Sequence, residues 1–441
     1  MFQTTPVKRQ SFDRVTPILI KRKSTFFSND NFCLPKTHDE CFKIISTPEF
    51  QRLRRVSQLG ICQYIFPSAT HTRYEHSLGV SNLADRLIHE INMKQILQDE
   101  ISECDRITEE DVKLICIAGL VHDLGHGPFS HTYEHLMKEC GKRFVHEEQS
   151  CKLFRKIVDE NQIDLDEYQI RIVSDIVCGE KLGVKQWRGE IISNGKNGID
   201  VDRLDYIRRD SHHLNRPIAF DVDNIIKQCC LIDGKICFFK EAKVDIERFF
   251  TNRYDLYDNV YTNKNVTSAE LLSLDIFREA YNYIPLLRED PNNLEKFIQL
   301  DDGFIGMIRF STDENLKKAR EMIRRLDRGD YYQYIGQIKQ TPENEHVLHQ
   351  LTSENLVGCG KNLTVDDVIV DTQYITVAKK NNWDGIYFVD NMESENITTQ
   401  NPSCLYPTED KTLFKRIYTR NNEKFDEVRD AFQAFEKNYL K

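Results

Sequence analysis

No apolar run in this sequence is long enough to cross a membrane. The longest, Leu114 to Val121, has eight residues and includes a glycine, whereas a span needs about 20. No Cys-x-x-Cys pair occurs among the 13 cysteines. That excludes a zinc ribbon and a disulfide scaffold and points to a reducing, intracellular setting. There is no excess of positive charge either: Lys+Arg 60 against Asp+Glu 70 gives a net charge of -10. A generally basic nucleic-acid coat is thereby excluded, though a local basic pocket is not. The stretch Met1 to Arg22 alternates basic and apolar residues and lacks the apolar centre of a signal peptide. Lys21-Arg22-Lys23 reads as a solvated face, so nucleus and cytoplasm both stay open. Internal repeats and low-complexity tracts are absent.

What is present is a soluble globular composition, 40% hydrophobic and 29% charged, over 441 residues, which suggests two or three domains. The first 45 or so residues read as an arm or edge strand. From Thr47-Pro48-Glu49 the texture becomes helical, with proline at a first helical position. Helices are expected over His76 to Leu97, with Leu83, Leu87 and Ile91 at i+4 steps, and from the capping box at Thr108. Others are expected at Glu147 to Asn161, Tyr168 to Val177, Val201 to Asp210, Val244 to Lys264, Asn263 to Arg288 and Glu314 to Leu326. Asp233-Gly234 between two apolar runs predicts a hairpin that sets Cys230 opposite Cys237. Two reduced, half-buried thiols are the expected state there. Gln340 to Asn362 reads as polar loop. Strands follow at Asp367 to Val370, Ile375 to Ala378, Ile386 to Val389 and Phe414 to Tyr418, then a helix over Phe425 to Leu440. The expectation is a mainly α protein: an arm (1–45), a helical unit with a β-hairpin (46–338) and a smaller α+β lobe (339–441).

Ten of the 13 histidines lie between His71 and His213, where an even spread would put about four. The richest run is His122-Asp123-Leu124-Gly125-His126-Gly127-Pro128-Phe129-Ser130-His131. A His-Asp pair at a helix end can place an imidazole nitrogen and a carboxylate oxygen on one cation. A lone His-Asp proves little, since chance supplies about one in such a chain; His38-Asp39 is another and is given no role. The weight comes from its company: His71-Thr72-Arg73-Tyr74-Glu75-His76 upstream and Asn197 to Tyr206 downstream, each opening a helix.

The ordered set His…His-Asp…Asp is the signature of the HD metal-dependent phosphohydrolases. The segments Phe50 to Arg54, Gln58-Leu59-Gly60, Arg73 to Val80, Gly119 to His131 and Asn197 to Asp202 closely resemble the SAM-and-HD-domain deoxynucleoside triphosphate triphosphohydrolases. The resemblance covers about Phe27 to Gly336 and weakens beyond; no SAM domain is expected, since only the short arm precedes. It implies His76, His122, Asp123 and Asp202 as ligands of one divalent transition metal (Fe, Mn or Zn), with Mg²⁺ accompanying a triphosphate. Asp200 and Asp205 look similar, but the match selects Asp202, and they are expected to be a cap and a solvent-facing acid.

The resemblance further implies phosphate binding and proton transfer at Arg73, His126, His131, His146, Arg203, Tyr206, Asp210 and Arg253. His131 is the expected general acid for the leaving sugar oxygen, with Glu134 three residues on to set its tautomer. Relatives usually carry Asp there. Gln58, Leu59 and Tyr261 match residues that crowd the sugar 2′ position, and Arg253, Tyr257 and Tyr261 recur at i, i+4 and i+8, the spacing of one helix face. Phe250, Tyr254, Tyr257 and Tyr261 also make an ordinary core stripe. His135 has no counterpart and reads as a surface histidine.

Relatives are nucleotide-activated tetramers. Gln51, Arg54 and Lys264 match their activator site, but Ser46 stands where a guanine-reading Asp is expected, and Asn263 replaces a usual His. The chain therefore reads as constitutive, differently activated or partner-regulated, with a homo-oligomer (dimer or tetramer) expected. The implied reaction converts a deoxynucleoside triphosphate to deoxynucleoside and inorganic triphosphate, controlling nucleotide pools. Two rivals remain: a nucleotidase or phosphodiesterase acting on monophosphates or nucleic-acid ends, and a nucleic-acid-binding protein with a vestigial site, which is not favoured.

Overall fold

The Arg73–Ile96 helix is the axis around which the other elements are arranged. It begins where Glu75 turns back to accept the Thr72 N–H at 2.9 Å, satisfying a donor that a helix start leaves unpaired. Leu83, Leu87 and Ile91 are buried, as their spacing requires. Against this helix pack Glu109–Val121, opened by the predicted Thr108–Asp111 capping box, and Val201–His213, capped by Asp200. Gly79 permits the second crossing: a Cβ there would collide with the Asp205 carboxylate and the Arg209 guanidinium. A computed structural model describes residues 14–15, 38–98, 101–375, 383–392, 397–399 and 412–439.

Around this centre His146–Asn161, Glu167–Val177 and Lys317–Arg328 follow the sequence reading. Several expectations are corrected. Asp39–Ile45, inside the expected arm, is a helix that buries Cys41, Ile44 and Ile45. The helix expected over Val244 to Lys264 runs only over Lys243–Leu256 and gives way to a π-helical turn, Tyr257–Tyr261. The next helix, Lys264–Tyr281, ends before Arg288, because Pro285 starts a separate short helix, Pro285–Arg288. His131–Glu139, Trp187–Ile192 and Val222–Lys227 are helices too short to show an apolar period. Trp187 is held by burial and by its indole N–H, which donates to the Cys104 carbonyl at 2.9 Å.

The hairpin forms in the expected register, with Cys230 opposite Cys237; both are buried and neither is in a disulfide. Tyr387–Val389 adds to it in parallel. A second sheet orders Gln333–Lys339, Thr412–Thr419 and Val368–Ile375, all antiparallel, and the Phe425–Tyr439 helix covers it. Its own core includes Ile338, Leu351, Ile417, Val428 and Phe435. The stretch expected to be polar loop instead carries Glu345–Leu348 and Ser353–Gly358, which bury Leu348 and Leu356. Residues Arg14–Val15 pair with Ile101–Ser102 as an edge strand. Most of the expected arm, with the Lys21-Arg22-Lys23 cluster, and the expected strand Ile375 to Ala378 after its first residue lie outside the described residues. Among the described residues no helix is long and apolar enough to cross a membrane.

The sheet is tied to the helical part through the Lys264–Tyr281 helix. Arg416 donates to the Thr262 carbonyl, Tyr418 Oη to the Lys264 carbonyl at 3.1 Å, and Arg420 to Asp275 at 2.8 Å.

Candidate functional site

Three helix ends meet at one point. His76 comes from the first turn of Arg73–Ile96, His122 and Asp123 from the end of Glu109–Val121, and Asp202 from the first turn of Val201–His213. His76 Nε2 lies 3.1 Å from Asp202 Oδ1 and 3.6 Å from Asp123 Oδ2. His122 Nε2 lies 3.5 Å from Asp123 Oδ1 and 3.6 Å from Asp202 Oδ1. The opposite nitrogens are committed elsewhere: His76 Nδ1 to Asp205 Oδ2 and His122 Nδ1 to the Gly119 carbonyl, both at 2.8 Å. Such contacts fix each ring with its Nε2 lone pair facing the centre. His122 Nε2 is buried with no hydrogen-bond partner. An orphaned acceptor among carboxylates fits a divalent cation, and donor atoms of His76, His122 and Asp123 all lie within 4.8 Å of one another.

Electrostatics point the same way. Burial opposes charge on His76, yet Asp202, Asp205 and Asp123 push its pKa up to about 10. Burial would raise the Asp123 carboxyl, but Arg73, His122 and His126 hold it well below the usual carboxylate range. Asp202 is likewise held low by His122 and His76 against its burial. The cluster favours positive charge at its centre, which a bound cation would supply in place of protons.

Asp205 is not the solvent-facing acid expected from sequence. It is fully buried, and it grips Arg209 through two bonds of 2.8 and 2.9 Å while orienting His76. Its place three residues after Asp202, on the same helix face, was the available signal. Asp200 is the cap that was expected: it accepts the Arg203 N–H at 2.9 Å, and burial raises its carboxyl to about 6.

Beside the cluster stands a second group. His126 is buried with Nε2 3.3 Å from Asp123 Oδ1, and its ring stacks on His146 at 3.9 Å. Donor atoms of Asp123, His126 and His146 also fall within 4.8 Å of one another. Glu134 lies between two imidazoles, 2.7 Å from His146 Nδ1 and 3.2 Å from His131 Nδ1. Burial alone would raise the Glu134 carboxyl; its bonds to His131 and His146 override this and hold it far below the usual range. Burial, with Arg73 and His146 nearby, keeps His126 neutral. Burial works against charge on His146, but the Glu134 bond raises its pKa. His131 is the most open member, with its side chain 68% exposed.

The loop carrying these histidines is held by residues that sequence reasoning assigned no role. Buried Arg52 donates to the carbonyls of Leu124 at 3.2 Å and His126 at 2.5 Å. Ser150 accepts the Gly125 N–H at 2.8 Å and donates to the His122 carbonyl at 2.7 Å. Gly125 has to be glycine, since a Cβ would strike the His146 carbonyl. Asp302 accepts the N–H groups of Phe129 at 2.7 Å and Ser57 at 2.8 Å. Phe129 and Ser130 sit at positive φ, 53° and 54°, a strained pair that these bonds maintain.

A cavity of about 300 Å³ opens onto both groups. Its lining includes His76, Asp123, Asp202, Arg73, His126, His131 and His146, and on the other wall Gln58, Leu59, Tyr206, Asp210, Tyr257 and Tyr261. Tyr261 donates to Asp210 Oδ2 at 2.6 Å, and His71 meets Asp210 Oδ1 at 2.7 Å, so the Tyr261 ring is fixed from behind. The π-turn puts both Tyr257 and Tyr261 on the cavity, with ring centroids 5.1 Å apart. Arg73 reaches Asp123 and donates to Ser130 Oγ at 2.8 Å. Arg203 and Arg253 do not reach the lining: the first pairs with Asp200, the second sits 5.5 Å from the Tyr257 ring centroid.

The expected activator residues fall in two places. Gln51 and Arg54 bond each other at 2.8 Å, with Arg54 lying over Tyr74. Lys264 belongs to a separate groove with Asp330, Gln333 and Tyr334. Ser46 ends the Asp39–Ile45 helix and donates to the Phe42 carbonyl at 2.8 Å. His135 is exposed, as expected of a surface histidine.

Residues 73–209 match the HD domain family. The chain is 32% identical over 413 residues to the deoxynucleoside triphosphate triphosphohydrolase SAMHD1 homolog of Dictyostelium discoideum, covering 91% of this chain and 78% of that protein. It is 32% identical over 343 residues to the deoxynucleoside triphosphate triphosphohydrolase SAMHD1 of Homo sapiens, covering 69% of this chain and 54% of the human protein. It is also 31% identical over 435 residues to an HD domain-containing protein of Acanthamoeba polyphaga mimivirus, covering 89% of this chain and 93% of the viral one.

Proposed function

Because the chain belongs to the family of SAM-and-HD-domain deoxynucleoside triphosphate triphosphohydrolases, we propose that it cleaves deoxynucleoside triphosphates at the α-phosphate, releasing deoxynucleoside and inorganic triphosphate. One observation carries this reading. The metal-ligating cluster, the histidine–glutamate group and the Tyr261–Asp210 wall face a single cavity.

His76, His122, Asp123 and Asp202 would hold one divalent cation, and nitrogen and oxygen donors without thiolate suit iron, manganese or zinc. When bound, that ion supplies Lewis acidity for attack of water at phosphorus, and Mg²⁺ accompanies the triphosphate. Arg73 sits at the Asp123 edge of the cluster and presents its guanidinium to phosphate oxygens. His126, kept neutral, offers an acceptor beside them. Glu134 holds Nδ1 of His131, leaving Nε2 to deliver a proton to the departing 5′-oxygen. His146 shares that carboxylate and keeps it charged. A ribose 2′-OH pressed against Leu59 and the fixed Tyr261 ring would go unpaired, a cost of about 1–3 kcal/mol that favours deoxyribose.

The assignment extends to an intracellular protein, nuclear or cytoplasmic, whose catalytic unit spans 46–338. It works as a homo-oligomer, and its activation does not require the guanine reader that Ser46 replaces. One observation favours the rival reading as a nucleotidase. Arg203 and Arg253 stay off the cavity wall, and Arg73 alone is what a monophosphate needs.

The test incubates metal-loaded protein with dGTP and GTP separately, with and without a second nucleotide, and resolves the products by ion exchange, with His122→Ala as the blank. Deoxynucleoside and intact triphosphate from dGTP alone is the expected outcome. A metal-loaded protein that leaves dGTP whole in every mixture contradicts the assignment; release of phosphate from monophosphates instead supports the rival.

A further inference from the structure

We infer that Glu270 reads the nucleobase, setting the order in which the four deoxynucleoside triphosphates are used; this rests on the function proposed above. Phosphates belong at the metal cluster and the sugar at Gln58, Leu59 and Tyr261. What remains of the nucleotide is its base, and what remains of the opposite wall, with Asp210 taken up by Tyr261 and His71, is Gly60, Cys62, Tyr206, Tyr257 and Glu270. Gly60 has no side chain, burial keeps Cys62 a neutral thiol, and Tyr206 and Tyr257 carry one hydroxyl each, so Glu270 is the member of this group able to set a donor beside an acceptor.

The placement of Glu270 follows from its helix. Val266, one turn earlier on Lys264–Tyr281, packs with Cys62 and Leu59 in a small apolar cluster. Glu270 therefore shares the face that meets the Gly60–Tyr64 turn. Among the described residues none donates a hydrogen bond to its carboxyl and no cation pairs with it. The other acids on the lining are engaged: Asp123 with Arg73, Asp202 with His76, Asp210 with His71 and Tyr261. Glu270 is half-buried and its carboxyl opens on the cavity, so a bound ligand can take up its hydrogen bonds.

Burial, aided by the negative charge of Asp371, raises Glu270 to about 8. It thus carries a proton at neutral pH and presents an O–H donor beside a carbonyl acceptor. Each nucleobase offers an adjacent acceptor and donor on its Watson–Crick edge, but purines and pyrimidines hold that edge at different distances from the sugar. A fixed carboxyl at the base end therefore suits some bases better than others.

The experiment uses the metal-loaded full chain with dATP, dGTP, dCTP and dTTP, and measures both kcat/KM and equilibrium dissociation constants. Glu270→Gln, which keeps a donor and an acceptor side by side, should retain the wild-type order within about twofold. Glu270→Ala and Glu270→Leu, the second filling the space without hydrogen bonding, should change at least one base-to-base ratio by about fivefold, the worth of one hydrogen bond. The change should lie mainly in KM. Base ratios that stay constant in both the Ala and Leu variants overturn the inference, even if all four rates fall together. If the wild type hydrolyses no deoxynucleoside triphosphate, the assigned reaction is what fails. The ratios are then read from the dissociation constants, where a shift supports the inference and constancy overturns it.

Discussion

The two ends of the cavity are built on opposite plans. At the metal end, side chains are gripped from behind: His76 by Asp205 and Arg209, His122 by the Gly119 carbonyl, His131 and His146 by Glu134. At the other end Glu270 touches the cavity with no partner of its own. The first plan suits chemistry, because preorganised groups need not rearrange as charge develops. The second suits recognition, because an unpaired group waits for a ligand to complete it. The difference separates residues whose loss should stop turnover from those whose loss should only redirect it.

The largest break in that contrast comes from His122→Ala. It removes a nitrogen with no other partner, so metal content by elemental analysis and turnover should both fall to background while the fold survives. Next is Glu134→Gln, which leaves the metal cluster intact but loosens His131 and His146. Metal content should hold while kcat drops by about 10²–10⁴-fold, the range of general acid–base help. Asp205→Asn tests whether gripping from behind matters in itself. Metal affinity, measured by chelator competition, should weaken about 10–100-fold, with kcat recovering at saturating metal.

The smallest effect belongs to the far end. The Glu270 carboxyl, near 4.5 when unfolded, is raised to about 8 by burial and Asp371. The folded chain thus keeps a proton that the unfolded chain releases, and this group's contribution to stability falls as pH rises from about 4.5 to about 8. Glu270→Gln removes that dependence. The variant's Tm relative to wild type should therefore climb between pH 5 and pH 8; a difference that is flat over this range would mean the carboxyl is solvated.

How much of this was legible in the sequence divides along a similar line. The resemblance singled out His76, His122, Asp123 and Asp202 because its motifs, the contiguous His122-Asp123 and two recognisable helix starts, are local in sequence, and the structure brings these four side chains together. The hairpin register followed from Asp233-Gly234, whose backbone sits at positive φ as that turn requires. Asp205 was misread because an acid at a helix surface is usually solvated, and only the absence of a side chain at Gly79 lets that helix approach. The bonds holding the His126 loop join residues 25 to 173 positions apart, such as Ser150 to Gly125, Arg52 to Leu124 and Asp302 to Phe129. No local pattern records such partners. The π-turn escaped notice because the aromatic stripe Phe250, Tyr254, Tyr257 and Tyr261 continues through it without a proline or glycine to mark it. Glu270 escaped because one acid in an amphipathic helix looks like its wet side.

If this cavity directs water to the α-phosphate, the fate of the water oxygen reveals it. Metal-loaded wild-type protein turns over dGTP in water enriched in ¹⁸O, and the products are weighed by mass spectrometry. One heavy oxygen in the inorganic triphosphate, with none in the deoxynucleoside, is the predicted result. Label in the deoxynucleoside, or products in which the triphosphate is broken between its phosphorus atoms, would contradict it.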